Sequence, residues 1–427
     1  MNWKKLKDPL WVFVMLSLVG AILLMAVTAA GHGRKVSEYF SDDQLDTGMD
    51  FINSIYYTMD RTPYTEFRTL YPPLANAFFL LVEQFMPEWV IDGWHTQTLL
   101  AVRGQAGDTR SEQAPVLMLF LFILVVSLLC AMLIQRLLEN RSNRESRAAG
   151  LMCLTGFAFT YAVERGNVII MALMLSLYFL AFYRHSNAVI RETAYIALAM
   201  AAGIKIYPAF LGVLLLKERR WADAVRTVVY GLMTLVLPCF LFEGGLDNLR
   251  IFFEVLFKKG RQSYVVAMGT GFKNMTSAVI YKLSGLTGRP EEDFTYLYGQ
   301  VQTVSYVICF VMIISAVFAR VSEWKRVLML TMPMVCIQVA PYYTFVYMIL
   351  PLVIFLRDEK ELNLRNVIYF LMMIIPVMHL PLFNYYEGRK PLAIVKQGAE
   401  LIIWAALIIE GALGLIHWKQ IRNELKV

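Results

Sequence analysis

Long apolar runs separated by short basic loops dominate this chain. Many of the runs approach the roughly 20 residues that a helix needs to cross a bilayer, and the alternating ten-residue segments of an outer-membrane barrel are absent. The pattern therefore predicts an all-α, polytopic helical membrane protein. The apolar runs cover residues 10–30, 73–91, 115–138, 148–163, 168–183, 193–216, 224–242, 295–319, 327–356, 366–383 and 399–416.

Lysine and arginine concentrate in the loops, and basic loops are typically cytoplasmic. Two cytoplasmic loops must be joined by an even number of crossings. The 193–216 and 327–356 runs are therefore predicted to be hairpins of two short helices, broken near Lys205 and Pro341, and such breaks are tolerated where they line a cavity. The basic loops lie at 4–7, 141–147, 184–191, 217–226, 320–326, 357–365 and 419–426.

The 73–91 run is predicted to be a short or re-entrant helix on the outer side, since a full crossing would place the 141–147 loop outside. The result is one domain, 1–427, with about eight full spans and two broken-helix hairpins, or roughly 10–13 membrane helices. Both termini are then cytoplasmic. We interpret the 10–30 run, which is longer than a typical signal-peptide core, as a retained signal anchor. The predicted outer-face segments are 31–114, 243–294 and 384–398.

Composition supports this assignment. The chain is 58% hydrophobic and 17% charged, below the roughly 25% charged residues of a soluble domain. The net charge of +7 follows from the basic loops, so no nucleic-acid partner is expected. Five cysteines lie inside apolar runs without paired spacing, which argues against both a disulfide framework and a zinc site.

A polar, aromatic-rich stretch follows the first run and presents chemistry to one side of the bilayer. It begins with the carboxylates Asp42, Asp43, Asp46 and Asp50, continues through Arg61, Tyr64 and Arg68, and ends in Leu70-Tyr71-Pro72-Pro73-Leu74. Each aspartate has an ordinary interpretation as a solvated loop acid or a helix cap, and Arg61 and Arg68 have one as partners of Glu66. The diproline restricts the backbone and so directs the helix that follows.

Two charged elements stand out among the apolar runs. Glu164-Arg165-Gly166-Asn167 is a tight turn on the side predicted for Asp50, where the positive-inside rule does not favour an arginine. A Glu164–Arg165 pair closing the turn is the structural alternative. Lys205, within Lys205-Ile-Tyr207-Pro208, costs about 2.5–3.5 kcal/mol at the membrane centre, so we expect a partner, unless the side chain reaches an interface.

In their order, these elements resemble the glycosyltransferase C superfamily, and within it the polyprenol-phosphate-mannose-dependent alpha-mannosyltransferases. The resemblance rests on an acid before an aromatic residue (Asp50-Phe51), the Tyr-Pro-Pro turn about twenty residues later, the Gly-Asn element and Lys-Ile-Tyr-Pro. It extends to Pro341-Tyr342-Tyr343, where tyrosines replace histidines often found in that family.

The resemblance implies an integral membrane hexosyltransferase that needs no cofactor and no metal. Its expected donor is a polyprenyl-phosphate-linked sugar, with mannose favoured, and its expected acceptor is a lipid or glycan hydroxyl, among membrane lipids. The active site is expected on the extracytoplasmic side of a bacterial inner membrane. Asp50 is the expected general base, with Asp46 as second choice; the expected substrate-binding residues are Arg61, Tyr64, Arg68, Tyr71, Arg165, Asn167, Lys205 and Tyr207.

Two alternatives remain open from the sequence. A lipid or solute transporter, or a flippase, also has broken helices and a charged residue such as Lys205 near the midplane, although no inverted repeat is visible. The basic and aromatic 243–294 segment has two interpretations: a gate or a site for anionic lipid headgroups, or an amphipathic interfacial helix without a specific ligand.

Overall fold

A computed structural model describes residues 7–33, 39–40, 47–92, 112–261, 271–336, 341–382 and 391–424. Within these ranges the chain is helical and forms no β-strand, which confirms the all-α prediction. Short 3-10 segments occupy Tyr207–Gly212, Leu237–Leu241, Glu291–Phe294 and Tyr342–Met348. The α-helices are α1 Pro9–Ala30, α2 Met49–Tyr56, α3 Pro73–Glu83, α4 Gln113–Leu137, α5 Asn143–Thr155, α6 Phe157–Glu164, α7 Ile169–Phe182, α8 Ala188–Ile204, α9 Val213–Lys217, α10 Trp221–Val236, α11 Asp247–Arg261, α12 Phe272–Thr287, α13 Tyr296–Phe318, α14 Glu323–Cys336, α15 Ile349–Asp358, α16 Val367–Val377 and α17 Pro391–Glu424.

Several helices are long and apolar enough to cross a bilayer, and the protein is a polytopic helical membrane protein as predicted. The other predicted full spans are shorter or divided: 168–183 forms α7, 366–383 forms α16, and 148–163 is split between α5 and α6. Parts of the predicted outer segments, 34–38, 41–46, 93–111, 262–270 and 384–390, lie outside the described residues. The five long apolar helices within the described ranges are Pro9–Ala30, Gln113–Leu137, Trp221–Leu241, Glu291–Phe318 and Leu392–Gly414.

Gly156 divides the 148–163 run because another part of the chain approaches it closely. A Cβ atom at this position would lie 2.6 Å from the carbonyl oxygen of Val377 and 2.9 Å from that of Met152. Only a glycine leaves room for the end of α16 against the junction of α5 and α6. Apolar periodicity does not register such a contact, so the break was not predicted.

The predicted hairpin around Lys205 is confirmed. α8 ends at Ile204 and the chain returns through the 3-10 segment and α9. Arg220, just beyond α9, donates to the carbonyl of Tyr183 over 2.6 Å, and Arg184 pairs with Glu218 over 2.6 Å. The hairpin therefore begins and ends at the same end of the helix bundle, and its turn at Lys205 lies about 26 Å away along the 17 residues of α8.

The second predicted hairpin, α14 to α15, closes in the same way. Glu323 at the start of α14 pairs with Arg357 at the end of α15 over 3.2 Å, and with Arg184 over 2.8 Å. Trp324 donates its indole N–H to Glu359 over 2.8 Å. Both hairpins are thus tied to one another where the predicted cytoplasmic loops meet.

Arg141 joins the N-terminal part of the chain to this assembly. Its side chain is only 5% exposed, and it pairs with Asp8 over 2.8 Å. It also donates to the carbonyl oxygens of Leu356 and Glu359 at distances of 2.6–2.9 Å. We call the end of the bundle that carries Asp8, Arg141, Arg184, Glu218 and Glu323 the basic end, and the opposite end the site end.

The predicted short helix is α3. Its 11 residues extend about 16 Å, roughly half of the hydrocarbon thickness. α3 packs against α2, α8 and α10. Tyr71 and Pro72 directly precede its first residue, Pro73, so the start of α3 positions Tyr71 at the site end.

Candidate functional site

The site begins where the chain entering α2 pairs with the turn after α6. The backbone N–H of Gly48 donates to the carbonyl of Glu164 over 2.7 Å, and that of Asp50 donates to Arg165 over 3.1 Å. The Thr47 hydroxyl donates to the Glu164 carboxylate over 2.6 Å. Two segments more than 110 residues apart are thereby held in one register, which sets the position of Asp50.

Two glycines make this pairing possible. Gly48, the N-cap of α2, has φ +75°, and Gly166 has φ +64°. A Cβ on Gly166 would lie 2.9 Å from the carbonyl oxygen of Gly48 and 3.1 Å from Cβ of Phe51. Both the left-handed backbone and the close approach require glycine at position 166.

The Asp50 carboxylate accepts two hydrogen bonds from the same turn. Arg165 Nη2 donates to one oxygen over 3.0 Å, and Asn167 Nδ2 donates to the other over 2.7 Å. The Asn167 amide is oriented by α7, because its own Oδ1 accepts the N–H of Ile169 over 3.0 Å. Asp50 is therefore fixed by a charged donor and an oriented amide, while its side chain stays 21% exposed.

Tyr71 is the next member of the site, and its hydroxyl accepts a hydrogen bond from Asn167 over 3.2 Å. Burial raises the pKa of this hydroxyl well above its ordinary value, and the nearby Asp50 carboxylate raises it further. Tyr71 therefore stays protonated and keeps its own proton for donation. Beneath it, the buried Tyr64 donates its hydroxyl to the Tyr71 carbonyl over 2.7 Å, and Asn76 donates to the same oxygen over 3.4 Å.

Lys205 enters the site from the turn of the first hairpin. Its backbone is extended (φ −141°, ψ 122°) and ends α8. The ammonium lies 4.2 Å from the ring centre of Tyr71 and 5.3 Å from that of Tyr343. Within the described residues no carboxylate lies at ion-pair distance from it. Lys205 is only half-buried. The partner that the sequence predicted for this charge is supplied by two aromatic rings and not by a buried carboxylate.

Tyr207 and Tyr343 complete the aromatic side of the site. Both are half-buried, and they lie close enough for their hydroxyls to interact electrostatically. Tyr343 belongs to the Pro341-Tyr342-Tyr343 element, whose tyrosines were noted in the sequence only as a departure from the family pattern. The signal for its role was the aromatic pair directly after Pro341; its contact with Lys205 depends on the packing of the two hairpins.

Arg61 and Arg68 lie apart from this cluster. Both are exposed, and both have positive φ angles, 56° and 47°. The Arg61 carbonyl accepts the N–H of Glu243 over 2.9 Å, and in the described part of the chain no contact joins either guanidinium to Asp50. Asp46, with Asp42 and Asp43, lies outside the described residues, so its position relative to Asp50 remains a prediction.

A second buried cation was not singled out from the sequence. Lys396 is wholly buried and donates to the carbonyl oxygens of Ile375 and Pro376, each over 3.0 Å, and its ammonium lies 3.9 Å from the ring centre of Phe157. These contacts complete the C-terminal end of α16, a favourable place for a cation. The available signal was a lysine close before the 399–416 apolar run.

The site as described brings together a carboxylate, an arginine, a lysine and tyrosine side chains. Such a set can accept a proton, bind an anion and hydrogen-bond a polyol. No group of three or more metal-binding side chains occurs within the described ranges.

Comparison with known proteins gives one match. The model of glycosyltransferase family 87 matches residues 69–351, which include Tyr71, Arg165, Asn167, Lys205 and Tyr343. No curated protein and no solved structure matches the chain. Asp50 precedes the matched residues, yet Arg165 and Asn167 within them hold it. The chain belongs to glycosyltransferase family 87 and is a membrane glycosyltransferase, as the sequence resemblance predicted.

Proposed function

We propose that this family 87 glycosyltransferase moves a hexose, most simply mannose, from a polyprenyl-phosphate donor to a hydroxyl group of a lipid or glycan. The observation that carries the proposal is that three groups meet at Tyr71. Asn167 donates both to the Tyr71 hydroxyl and to the Asp50 carboxylate, and the Lys205 ammonium contacts the Tyr71 ring. A carboxylate and a lysine thus come together at one tyrosine, which suits transfer from a phosphate to a hydroxyl.

Lys205 and Arg165 are the proposed phosphate ligands. An ammonium has three N–H donors, and the ring contacts of Lys205 use none of them as conventional hydrogen bonds. Arg165 pairs with Asp50 and brings a second positive charge to the site. Positive charge placed where the phosphate leaves stabilises the charge that develops on it in the transition state.

Asp50 is the proposed general base. A carboxylate has about four lone-pair sites, of which Arg165 and Asn167 occupy one each. The acceptor hydroxyl gives its proton to Asp50 while its oxygen bonds to the anomeric carbon of an oxocarbenium-like sugar. The bond from that carbon to the phosphate oxygen breaks with inversion, and the polyprenyl phosphate leaves with its electron pair beside Lys205. Tyr71 donates its hydroxyl to the sugar.

The extracytoplasmic side of a bacterial inner membrane is the proposed location of this chemistry. The basic end carries the arginines that mark cytoplasmic loops. The 14 residues of α7 separate Asn167 from Tyr183 by about 21 Å. That distance supports a site on the opposite face from the basic end.

The proposal is tested with purified protein in proteoliposomes, radiolabelled polyprenyl-phosphate hexoses and total membrane lipids as acceptors. Asp50→Asn keeps the size of the side chain and one of its two acceptor oxygens but cannot take a proton, so transfer is expected to fall about 10²–10⁴-fold, with donor binding retained. Asp60→Asn, an exposed acid in the same segment, is the matched control and should keep the wild-type rate.

Three other outcomes would change the assignment. Full activity in Asp50→Asn with collapse in Asp46→Asn would give the role of base to Asp46. Wild-type transfer in both variants would remove this segment from the chemistry. Movement of the labelled lipid across the membrane without any sugar transfer would favour the alternative from the sequence, a flippase centred on Lys205.

A further inference from the structure

An apolar groove runs along the membrane face of the first hairpin. It has a volume of about 400 Å³ and lies between α8, the returning segment that includes α9, and α10. Its lining is almost wholly apolar, with Thr227 as one of the few polar contributors. Val228 and Leu232 of α10 line it and are themselves 61% and 56% exposed. The groove is therefore open to surrounding lipid along α10.

Small residues create this space. Near the site end of α8, Gly203 allows α10 to approach closely, since a Cβ there would lie 2.7 Å from the Thr234 hydroxyl. Further along, Ala199, Ala202 and Gly231 line the groove, and a Cβ on Gly231 would meet no atom within 4 Å. α8 and α10 are in close contact at Gly203. Beside that contact the small residues leave the space between the two helices unfilled.

The groove starts at the residue next to Lys205. Ile206 lines it, whereas the ammonium of Lys205 lies over the rings of Tyr71 and Tyr343. One peptide unit separates a cation without a carboxylate partner among the described residues from an apolar channel open to lipid.

We propose that this groove binds the first isoprene units of the donor lipid, those nearest the phosphate. The inference rests on the proposed function for its ligand and extends it to a chain-length preference. An amphiphile with a phosphate head and a branched apolar chain matches the charge of Lys205 and the lining beside Ile206. Along α10 the lining runs from Ala224 to Leu235, about 17 Å, which holds only a few isoprene units; the rest of the lipid would lie in the bilayer.

The first test measures binding without any transfer reaction. Tritiated undecaprenyl monophosphate is bound to purified protein in nanodiscs and displaced by prenyl monophosphates of increasing length. Affinity is expected to rise over the first few isoprene units and then to stay constant. Inorganic phosphate alone should displace poorly. An affinity that rises with every added unit, or that does not depend on the chain, would contradict the proposal.

The second test fills the groove. Gly231→Leu places a side chain into open space, so folding should be kept, and binding of undecaprenyl monophosphate should weaken at least about tenfold. Gly299→Leu is the matched control, because Gly299 lies on α13 and also has nothing within 4 Å of its Cβ position. It should bind like the wild type.

The two tests separate the groove from the catalytic proposal. Loss of binding in Gly231→Leu alone supports the groove even if no sugar transfer is ever detected. Unchanged binding in Gly231→Leu, in a protein that transfers sugar, overturns the groove and leaves the proposed function intact. Equal displacement by phosphatidylglycerol would identify the groove as a general lipid contact and also overturn the proposal.

Discussion

The basic end and the site end of the bundle use charge in different ways. At the basic end arginines face carboxylates: Arg141 with Asp8, Arg184 with Glu218 and Glu323. At the site end, Arg165 also pairs with Asp50, but the Lys205 ammonium lies against the faces of Tyr71 and Tyr343. Among the described residues no carboxylate lies at ion-pair distance from it, and Asp50 acts on it at longer range. A carboxylate partly neutralises the arginine that it pairs with, whereas a cation on aromatic rings keeps its full charge for an anion.

This difference distinguishes charges that stabilise the fold from charges that are available to bind a ligand. Even a half-buried cation without a carboxylate at ion-pair distance lowers stability, so a fold retains one where it contributes something else. Cation–π contacts reduce that loss by about 0.5–2 kcal/mol without occupying the N–H donors. Variants that remove Lys205 or its ring contacts should therefore change donor binding, and variants at the basic end should change only stability.

The largest effect in this comparison is expected for Lys205→Met. Losing a charge-assisted contact to phosphate corresponds to about 1.5–3 kcal/mol, or roughly 10- to 100-fold in donor affinity, and the fold should survive because an expensive ion is removed. Lys205→Arg should recover only part, since a planar guanidinium does not replace a compact ammonium. Equilibrium binding of undecaprenyl monophosphate measures both variants.

Lys217→Met is the matched control for this experiment. Lys217 ends α9 of the same hairpin, but at the basic end, and its substitution should leave lipid-phosphate affinity unchanged. Unchanged affinity in Lys205→Met, together with lower thermal stability, would make Lys205 a structural cation and remove the contrast between the two ends.

A smaller effect is expected at Tyr343, whose ring lies 5.3 Å from the ammonium. Tyr343→Leu removes the aromatic face and should weaken lipid-phosphate binding by about two- to tenfold, as a cation–π contact of around 1 kcal/mol implies. Tyr343→Phe keeps the ring and should bind like the wild type. If Tyr343→Phe loses as much as Tyr343→Leu, the hydroxyl and not the ring is the group that acts.

The smallest effect on transfer is expected at the basic end. Asp8→Asn keeps the helix cap that Asp8 provides to Leu10 but leaves the buried Arg141 without its anion, so stability should fall by up to about 3 kcal/mol. The turnover of the protein that remains folded should not change. Thermal inactivation and kcat, measured on the same preparation, separate the two quantities.

Lys7→Gln is the neighbouring control, since the Lys7–Glu361 pair is largely exposed and such pairs contribute about 0–1 kcal/mol. A lower kcat in Asp8→Asn at equal folded fraction would show that the basic end reaches the chemistry, and the comparison would fail.

The sequence predicted those features of the fold that depend on local chemistry. The hairpin turn at Lys205 followed from loop charges and from the limit on crossings, and the short helix after Pro72-Pro73 followed from the same arithmetic. The family resemblance was carried by short elements around Tyr71, Asn167 and Lys205, and the family match includes all three. The proposed roles of these residues remain predictions.

Features that depend on distant contacts could not be predicted. The break at Gly156 exists because the Val377 carbonyl approaches it, and the Tyr343 ring reaches Lys205 only because two hairpins pack together. Lys396 was overlooked since its partners are backbone carbonyls of α16, which carry no sequence signature. Apolar periodicity defines which segments are helical but leaves open which faces meet.

The contacts of Arg141 have a consequence for biosynthesis. Arg141 reaches Asp8, which is made before it, but also the carbonyl of Leu356, which lies 215 residues later in the chain. At about 5–20 residues per second, ribosomes need roughly 10–40 s to supply that partner. During this interval the first helices are already inserted, and the Arg141 guanidinium stays partly solvated at the membrane surface. The guanidinium is withdrawn from water only when α15, near the end of the chain, has been made and packed. A chain truncated before α15 would therefore present an accessible arginine to quality-control proteases.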